Sequence, residues 1–236
     1  EAFRNALDAH RAIVTSHFEL VFEDRQETVQ TDAALWQDGS EDECLQALAA
    51  RGYLDPAETR RRLMALQSGA RYEQMPERSR KRFNAILPAL TEIAASQPNP
   101  DDTLARLLGL LDAISRRESY LALLNEHPKT LQRLASLYSA SSWVANYLTR
   151  HPILLDELLD PRILEQKPDW PALEQRLRAE LAEYADDTEE RMDLLRIFQH
   201  TQTFRLAVQD IAKLWTVEAL SDQLSLLADL MLKLVM

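Results

Sequence analysis

The chain has 236 residues, 46% of them hydrophobic and 28% charged, and a net charge of −11. A field of that sign repels nucleic acid and anionic lipid, so neither is a natural partner, and no apolar run approaches the roughly 20 residues needed to span a bilayer. With four glycines and Cys44 as its only cysteine, the chain is short of β-turn residues and has no means for an internal disulfide or a Cys-based zinc site.

These counts favour an all-α fold, an array of short and medium amphipathic helices in an irregular bundle, in a reducing, cytoplasmic setting. The opening EAFRNALDAHR is polar and already periodic, unlike a signal peptide. Both ends read as cut: the chain opens without Met inside a helical pattern and closes on LLADLMLKLVM without a stop signal.

Phe3, Leu7, His10, Val14, His17, Phe18 and Val21 recur at three- and four-residue spacings and predict a first helix. The pattern dissolves into a polar, acidic connection from Glu23 to Ser40. Short helices follow over 41–51, stopped by Gly52, and over 56–67, with Asp55 as cap and Pro56 at the first position. The segment Pro76–Ala95 reads as a helix with a kink at Pro88. Leu104, Leu107, Leu108, Leu111 and Ile114 then form a clean stripe, with Asn99 as cap and Pro100 at the first position.

Next come short helices over 118–126, 129–139, 142–150 and 152–159. His-Pro pairs at 127–128 and 151–152 mark their junctions and suggest a degenerate unit with a 24-residue offset. Pro161, Pro168 and Pro171 punctuate a loop before a helix over 171–184. Asp187 and Glu190 match a capping box for the longest helix. Its stripe reads Leu194, Ile197, Phe198, Thr201, Arg205, Val208, Ala212 and Trp215. A final helix starts near Val217.

The chemistry-bearing residues do not assemble into a centre in the sequence. His10, His17, His127, His151 and His200 are unclustered, with no metal-ligand spacing, so packing or helix-junction roles are expected. Gly39-Ser40-Glu41-Asp42-Glu43 superficially resembles the Gly-Ser turn and paired acids with which nucleotidyltransferases hold Mg²⁺. The acids follow Ser40 without a gap and run into a helix, so a Ser cap with acids in the first turn accounts for all five. Arg71, Arg78, Arg80, Lys81 and Arg82 form a basic island against only Glu73 and Glu77 nearby in sequence. It reads as a solvated helix face, with docking of an acidic or phosphate-bearing partner as the alternative. Seven acids between Glu180 and Asp193 form the opposite pole. Arg205, on an apolar stripe, calls for a carboxylate from another helix. Trp36, Trp143, Trp170 and Trp215 are expected to be packing anchors. No catalytic, cofactor-binding or metal-ligating residue is assigned.

The segments ESYLALLNEHP (118–128), SWVANYLTRHP (142–152), LLDELLDP (154–161), FRLAVQDI (204–211) and VEALSDQLSLLADLML (217–232) together resemble the bacterial adenylyltransferases that both adenylylate and deadenylylate glutamine synthetase. HRAIVTSHFELVFED (10–24) looks like the closing helix of that family's first half, while residues 25–100 match least. The resemblance implies a layout: 1–30 closes the deadenylylating half, 31–100 holds linker helices, and 101–236 is a central helical region before the adenylylating core. It also implies partners, namely glutamine synthetase, a PII-type signalling protein and the flanking catalytic halves. ATP and Mg²⁺ would serve the parent enzyme and not this region. The family's Gly-Ser turn and paired aspartates are expected just beyond Met236. The short helices of 117–165 are the expected movable part. Ser142 stands where relatives tend to place proline, and Gln199 where they tend to place lysine. A helical scaffold or oligomerisation module unrelated to nitrogen control is the alternative reading.

Overall fold

The computed structural model describes residues 40–159 and 166–235. The predicted helix over 3–21, most of the acidic connection, His10, His17, Trp36 and Pro161 lie outside them. Within the described residues eleven α-helices and one 3₁₀ helix follow one another and no strand forms, so the fold is all-α as predicted. The helices are α1 (Glu41–Ala50), α2 (Pro56–Gln67), α3 (Ala70–Glu73), α4 (Glu77–Ala95), α5 (Pro100–Ile114) and α6 (Glu118–Glu126). They continue with α7 (Pro128–Ala140), α8 (Ser142–Arg150), the 3₁₀ helix (Pro152–Leu158), α9 (Trp170–Glu183), α10 (Thr188–Ile211) and α11 (Val217–Val235).

The helix starts follow from capping chemistry. The Ser40 hydroxyl accepts the Glu43 N–H at 3.3 Å, and the Glu43 carboxylate accepts the Ser40 N–H at 3.1 Å. Two of the orphan donors of α1 are thereby satisfied, and the acids of 41–43 lie at its positive end. Asp55 caps α2 through the Glu58 N–H at 3.0 Å. Asp187 caps α10 through the Glu190 N–H at 3.1 Å. The return half of that predicted box is not made, because the Asp187 N–H donates to the Tyr184 carbonyl instead.

Asn99 departs from expectation. It occupies the cap position of α5, but its side chain makes no cap bond. Its Oδ1 accepts from Thr103 Oγ1 and from the Ser139 hydroxyl, and its Nδ2 donates to the Ser139 carbonyl, tying the start of α5 to the end of α7. At the entry to α8, Ser141 caps the Val144 N–H at 3.2 Å and Ser142 takes the first helical position. A proline suits that position because its N–H is an orphan anyway. Serine in its place leaves the helix entry intact.

α5 is the central element. Leu104, Leu107, Leu108, Leu111 and Ile114 are all buried, and α2, α4, α7 and α8 pack around it. Each such leucine contributes about 1.5–3 kcal/mol on burial, enough to hold helices that would be marginal alone. Phe83, Ile86 and Leu90 of α4 and Leu121, Leu134, Tyr138, Leu148 and Leu155 extend this core through the Pro-punctuated segment. α4 runs unbroken through Pro88. The two His-Pro junctions are near copies of one backbone: His127 lies at φ −122, ψ 76 and His151 at φ −124, ψ 67. Each ends a nine-residue helix and starts the next element, although the second copy continues as 3₁₀ rather than α.

A second, smaller core consists of Leu177 and Leu181 from α9, Leu195 from α10, and Leu230 and Leu234 from α11. α10 belongs to both cores, since its Phe204 and Val208 enter the larger one. At 1.5 Å per residue it spans about 36 Å. This double duty corrects the predicted single stripe: Leu195 and Phe204 are buried, Ile197 is exposed, and Trp215 lies past the helix end.

Candidate functional site

α9 packs on α11 rather than along α10, and a cleft opens between α9 and α10. It comprises two adjoining cavities of about 200 and 310 Å³. Leu173 and Arg176 of α9 and Gln202 and Arg205 of α10 line both and so form the partition between them. The carboxylate predicted for Arg205 is Glu157 of the 3₁₀ helix, whose Oε2 accepts from Arg205 Nε at 2.6 Å. The two side chains are only 25% and 18% exposed, so the pair holds α10 against the larger core at reduced dielectric. Arg176 donates to Glu180 at 2.8 Å, and the Asp169 carboxylate caps the Ala172 N–H at 3.2 Å. Gln209 donates to the Gln166 carbonyl at 2.8 Å and accepts from Trp215 Nε1 at 2.9 Å. The cleft is absent from the sequence reading. Its one visible signal was the polar Gln202 beside Arg205 on a helix with apolar neighbours.

A second constellation sits where α8 meets α10. Trp143 stacks on Tyr147 at 4.7 Å between ring centroids, Tyr147 meets His151 at 4.9 Å, and His151 stacks on His200 at 3.8 Å. Tyr147 Oη lies 2.7 Å from His200 Nδ1. Burial and then the neighbouring His151 charge hold the His200 imidazole below its ordinary range. Burial raises the Tyr147 phenol, with its Thr203 hydrogen bond opposing. The histidines expected to stand alone are thus paired, His151 with His200, 49 positions apart in the chain. The signal was the four-residue spacing of Trp143, Tyr147 and His151, which places three rings on one helix edge. Trp143 is 51% exposed, against the expectation of a packing anchor. Trp170 fits that expectation, packing on the smaller core with Nε1 bonded to Gln223 at 2.9 Å. Trp215 is held through Gln209 and by Lys167, whose Nζ lies 4.9 Å from the ring centre. His127 enters no side-chain hydrogen bond or ring contact among the described residues.

The basic island is neutralised from within. Arg71 pairs with Asp112 at 2.6 Å, Arg78 and Arg82 share Glu118, and Lys81 pairs with Glu77. Arg80 donates to the Glu73 and Met75 carbonyls and lies over the Tyr72 ring. Counting only sequence neighbours missed Asp112 and Glu118, which α5 and α6 bring in. At the acidic pole, Arg176 and Arg196 engage Glu180 and Asp193. Among the described residues no three His, Cys, Asp or Glu side chains gather as a metal ion would require, and no helix is long and apolar enough to cross a membrane.

A model of the glutamate-ammonia ligase adenylyltransferase family matches residues 131–236. The chain is 55% identical over 233 residues to the bifunctional glutamine synthetase adenylyltransferase/adenylyl-removing enzyme of Chromobacterium violaceum. That alignment covers 98% of the chain and 26% of the relative. The enzymes of the same name from Aromatoleum aromaticum and Neisseria meningitidis serogroup B are 50% and 46% identical, over 100% and 98% of the chain. The chain spans about a quarter of the length of these relatives.

Proposed function

This chain belongs to the glutamate-ammonia ligase adenylyltransferase family, and we propose that it is the helical region that connects and regulates the two opposed activities of such an enzyme. The supporting observation is the match of practically the whole chain to about a quarter of the bifunctional relatives. An unrelated helical scaffold has no reason to share that identity.

In this reading the whole protein is cytoplasmic, attaches AMP from ATP to a tyrosine of glutamine synthetase, and removes it by phosphorolysis. Glutamine synthetase, a PII-type signalling protein and the flanking catalytic halves are its partners. ATP and magnesium serve those halves, and none of the described residues is assigned to either.

The region acts by coupling, which requires an element that both ends can bias. α10 is suited to this, being one helix seated in both cores. In this reading its counterpart is the group of short helices α6, α7 and α8, which meet their successors at the two repeated His-Pro junctions and would shift against it as a packed body.

Calorimetric titration of the chain with the PII-type protein, with glutamine and with glutamine synthetase tests the reading. Saturable heat with any of the three is expected, and silence from all three, with a folded chain, would reduce the region to a passive connector. Incubation with glutamine synthetase, ATP and Mg²⁺ should leave the synthetase unmodified. Adenylylation by this chain alone would overturn the division of labour.

A further inference from the structure

We propose that the basic face where α3 meets the junction of α5 and α6 is the docking surface for the chain's own acidic connection, Glu23–Gly39. The ion pairs of that face leave charge over. Glu58 is shared by Arg61 and Arg62, and Glu118 by Arg78 and Arg82. Arg80 donates to the Glu73 and Met75 carbonyls, Arg116 to the Gln74 amide oxygen at 3.2 Å, and Arg117 lies over the Tyr120 ring. These three partners are neutral groups, so the positive charge stays in place. From Glu58 to Arg82, with Arg116 and Arg117 added, ten basic residues stand against six acids once Glu41, Asp112 and Glu118 are counted. That surplus of four sits on a chain whose net charge is −11, and it attracts an acidic partner.

Helix directions bring the connection to this face. Asp101 at the start of α5 accepts from the Leu54 and Asp55 N–H groups at the entry to α2. Asp112, near the end of α5, pairs with Arg71 just past the end of α2. α2 and α5 therefore run in the same direction, with the basic face at their C-terminal ends. α1 runs against α2, because a short connection joins them and Glu41 at the start of α1 reaches back to Arg60. The chain preceding Ser40 thus meets α1 on the side of the basic face. Arg60 and Arg71 are about 16 Å apart along the helix direction, and the seventeen residues of the connection can span up to about 55 Å. Glu23, Asp24, Glu27, Asp32 and Asp38 against Arg25 give the connection a net charge of −4, which matches the surplus. Covalent attachment raises its effective concentration over that of any separate acidic partner. The positive charges spread across α2, α4 and the α5–α6 junction, which suits a length of acidic polypeptide more than a compact anion such as phosphate. This inference concerns the chain alone and stands whether or not the region serves nitrogen control.

The test is paramagnetic relaxation in the full chain carrying a nitroxide on Thr31→Cys; Cys44 is buried and takes no label in the folded state. At low ionic strength the amide signals of 70–75 and 115–118 should broaden, and those of α9 and α11 should not. Raising the ionic strength to about 1 M, where the screening length falls to about 3 Å, should abolish the broadening. Replacing the five acids of the connection by their amides should do the same. So should Arg78→Glu/Lys81→Glu, made on two exposed side chains, which takes the surplus to zero. Should that double variant unfold, the amide variant decides alone, since its changes lie outside the described helices. Broadening that falls elsewhere, or that survives both salt and the amide variant, overturns the proposal. So does its absence at low ionic strength, which would leave the face to an acidic surface outside this chain.

Discussion

The Asp101 carboxylate accepts hydrogen bonds from the Leu54 N–H at 2.8 Å, the Asp55 N–H at 3.1 Å and the Thr59 hydroxyl at 3.2 Å. One side chain in the first turn of α5 thereby fixes the connection into α2. Desolvation pushes the carboxyl up, but these three donors and its own backbone N–H together outweigh it and hold it below its ordinary range. With a depressed folded value, the stabilisation is present above about pH 4 and is lost as pH falls through the folded value. Asp101→Asn should cost about 1–3 kcal/mol at neutral pH and flatten the acid limb of a urea-unfolding series; an unchanged limb would show that other carboxylates dominate it. His200 carries the same sign for a different reason. Its Nδ1 lies 2.7 Å from the Tyr147 hydroxyl and its ring lies on His151, so burial first and the neighbouring His151 second disfavour the imidazolium. Burial lowers its folded value, so the unfolded chain takes up the proton first. Stability should therefore fall as pH drops below about 6.5. His200→Gln should remove that part of the fall, as read from denaturation midpoints at pH 7.5 and pH 5.5.

Helix ends were readable in proportion to how local their chemistry is. Ser40, Asp55 and Pro56 act within four residues of themselves, and the structure places them as predicted. Asn99 acts on Ser139, forty positions away, which no local pattern displays, and the cleft and the His151–His200 stack were hidden for the same reason. Arg205 is the exception: a buried charge demands a partner, so the need was legible although Glu157 was not. Replacing Arg205 by Met should cost about 2 kcal/mol by stranding Glu157. The Arg205→Met/Glu157→Leu pair should recover most of that, and strictly additive losses in chemical denaturation would show that the two do not couple. The C-termini of α1 and α10 allow a cleaner comparison. Both close with the same pair of backbone bonds, Tyr53 N–H to Leu48 and Gly52 N–H to Ala49, and Leu214 N–H to Gln209 and Lys213 N–H to Asp210. Each needs a left-handed residue. α1 has Gly52 at φ 98, whereas α10 has Lys213 at φ 58. A Cβ at Gly52 meets nothing within 4 Å, so Gly52→Ala should cost only the backbone term of about 1 kcal/mol. Lys213→Gly should gain about 0.5–1 kcal/mol, a midpoint rise of about 1–4 °C for a chain of this size. Opposite signs for equivalent positions are the expected result, and a Lys213→Gly loss would mean that the lysine side chain contributes more than its backbone costs.

The two cores differ in size enough to predict their order of opening. The smaller one rests on five leucines, while the larger runs from Cys44 to Val208 through eight helices and the 3₁₀ segment. At about 1.5–3 kcal/mol per buried leucine, and against the entropy of ordering α9 and α11, the smaller core holds little reserve of its own. It persists because α10 is anchored elsewhere, by Phe204, Val208 and the Arg205–Glu157 pair. Native-state hydrogen exchange should therefore divide α10 within itself. Amides near Leu195 should exchange together with α9 and α11 through a low-energy opening, and amides near Phe204 with α4 and α5 near the global unfolding free energy. Leu230→Ala should then lower protection in α9, α11 and the first half of α10, and leave α5 unchanged. If all these helices instead exchanged at one common free energy, the cores would be a single cooperative unit. α10 would then transmit a change at one end to the other rigidly, with no local opening in between.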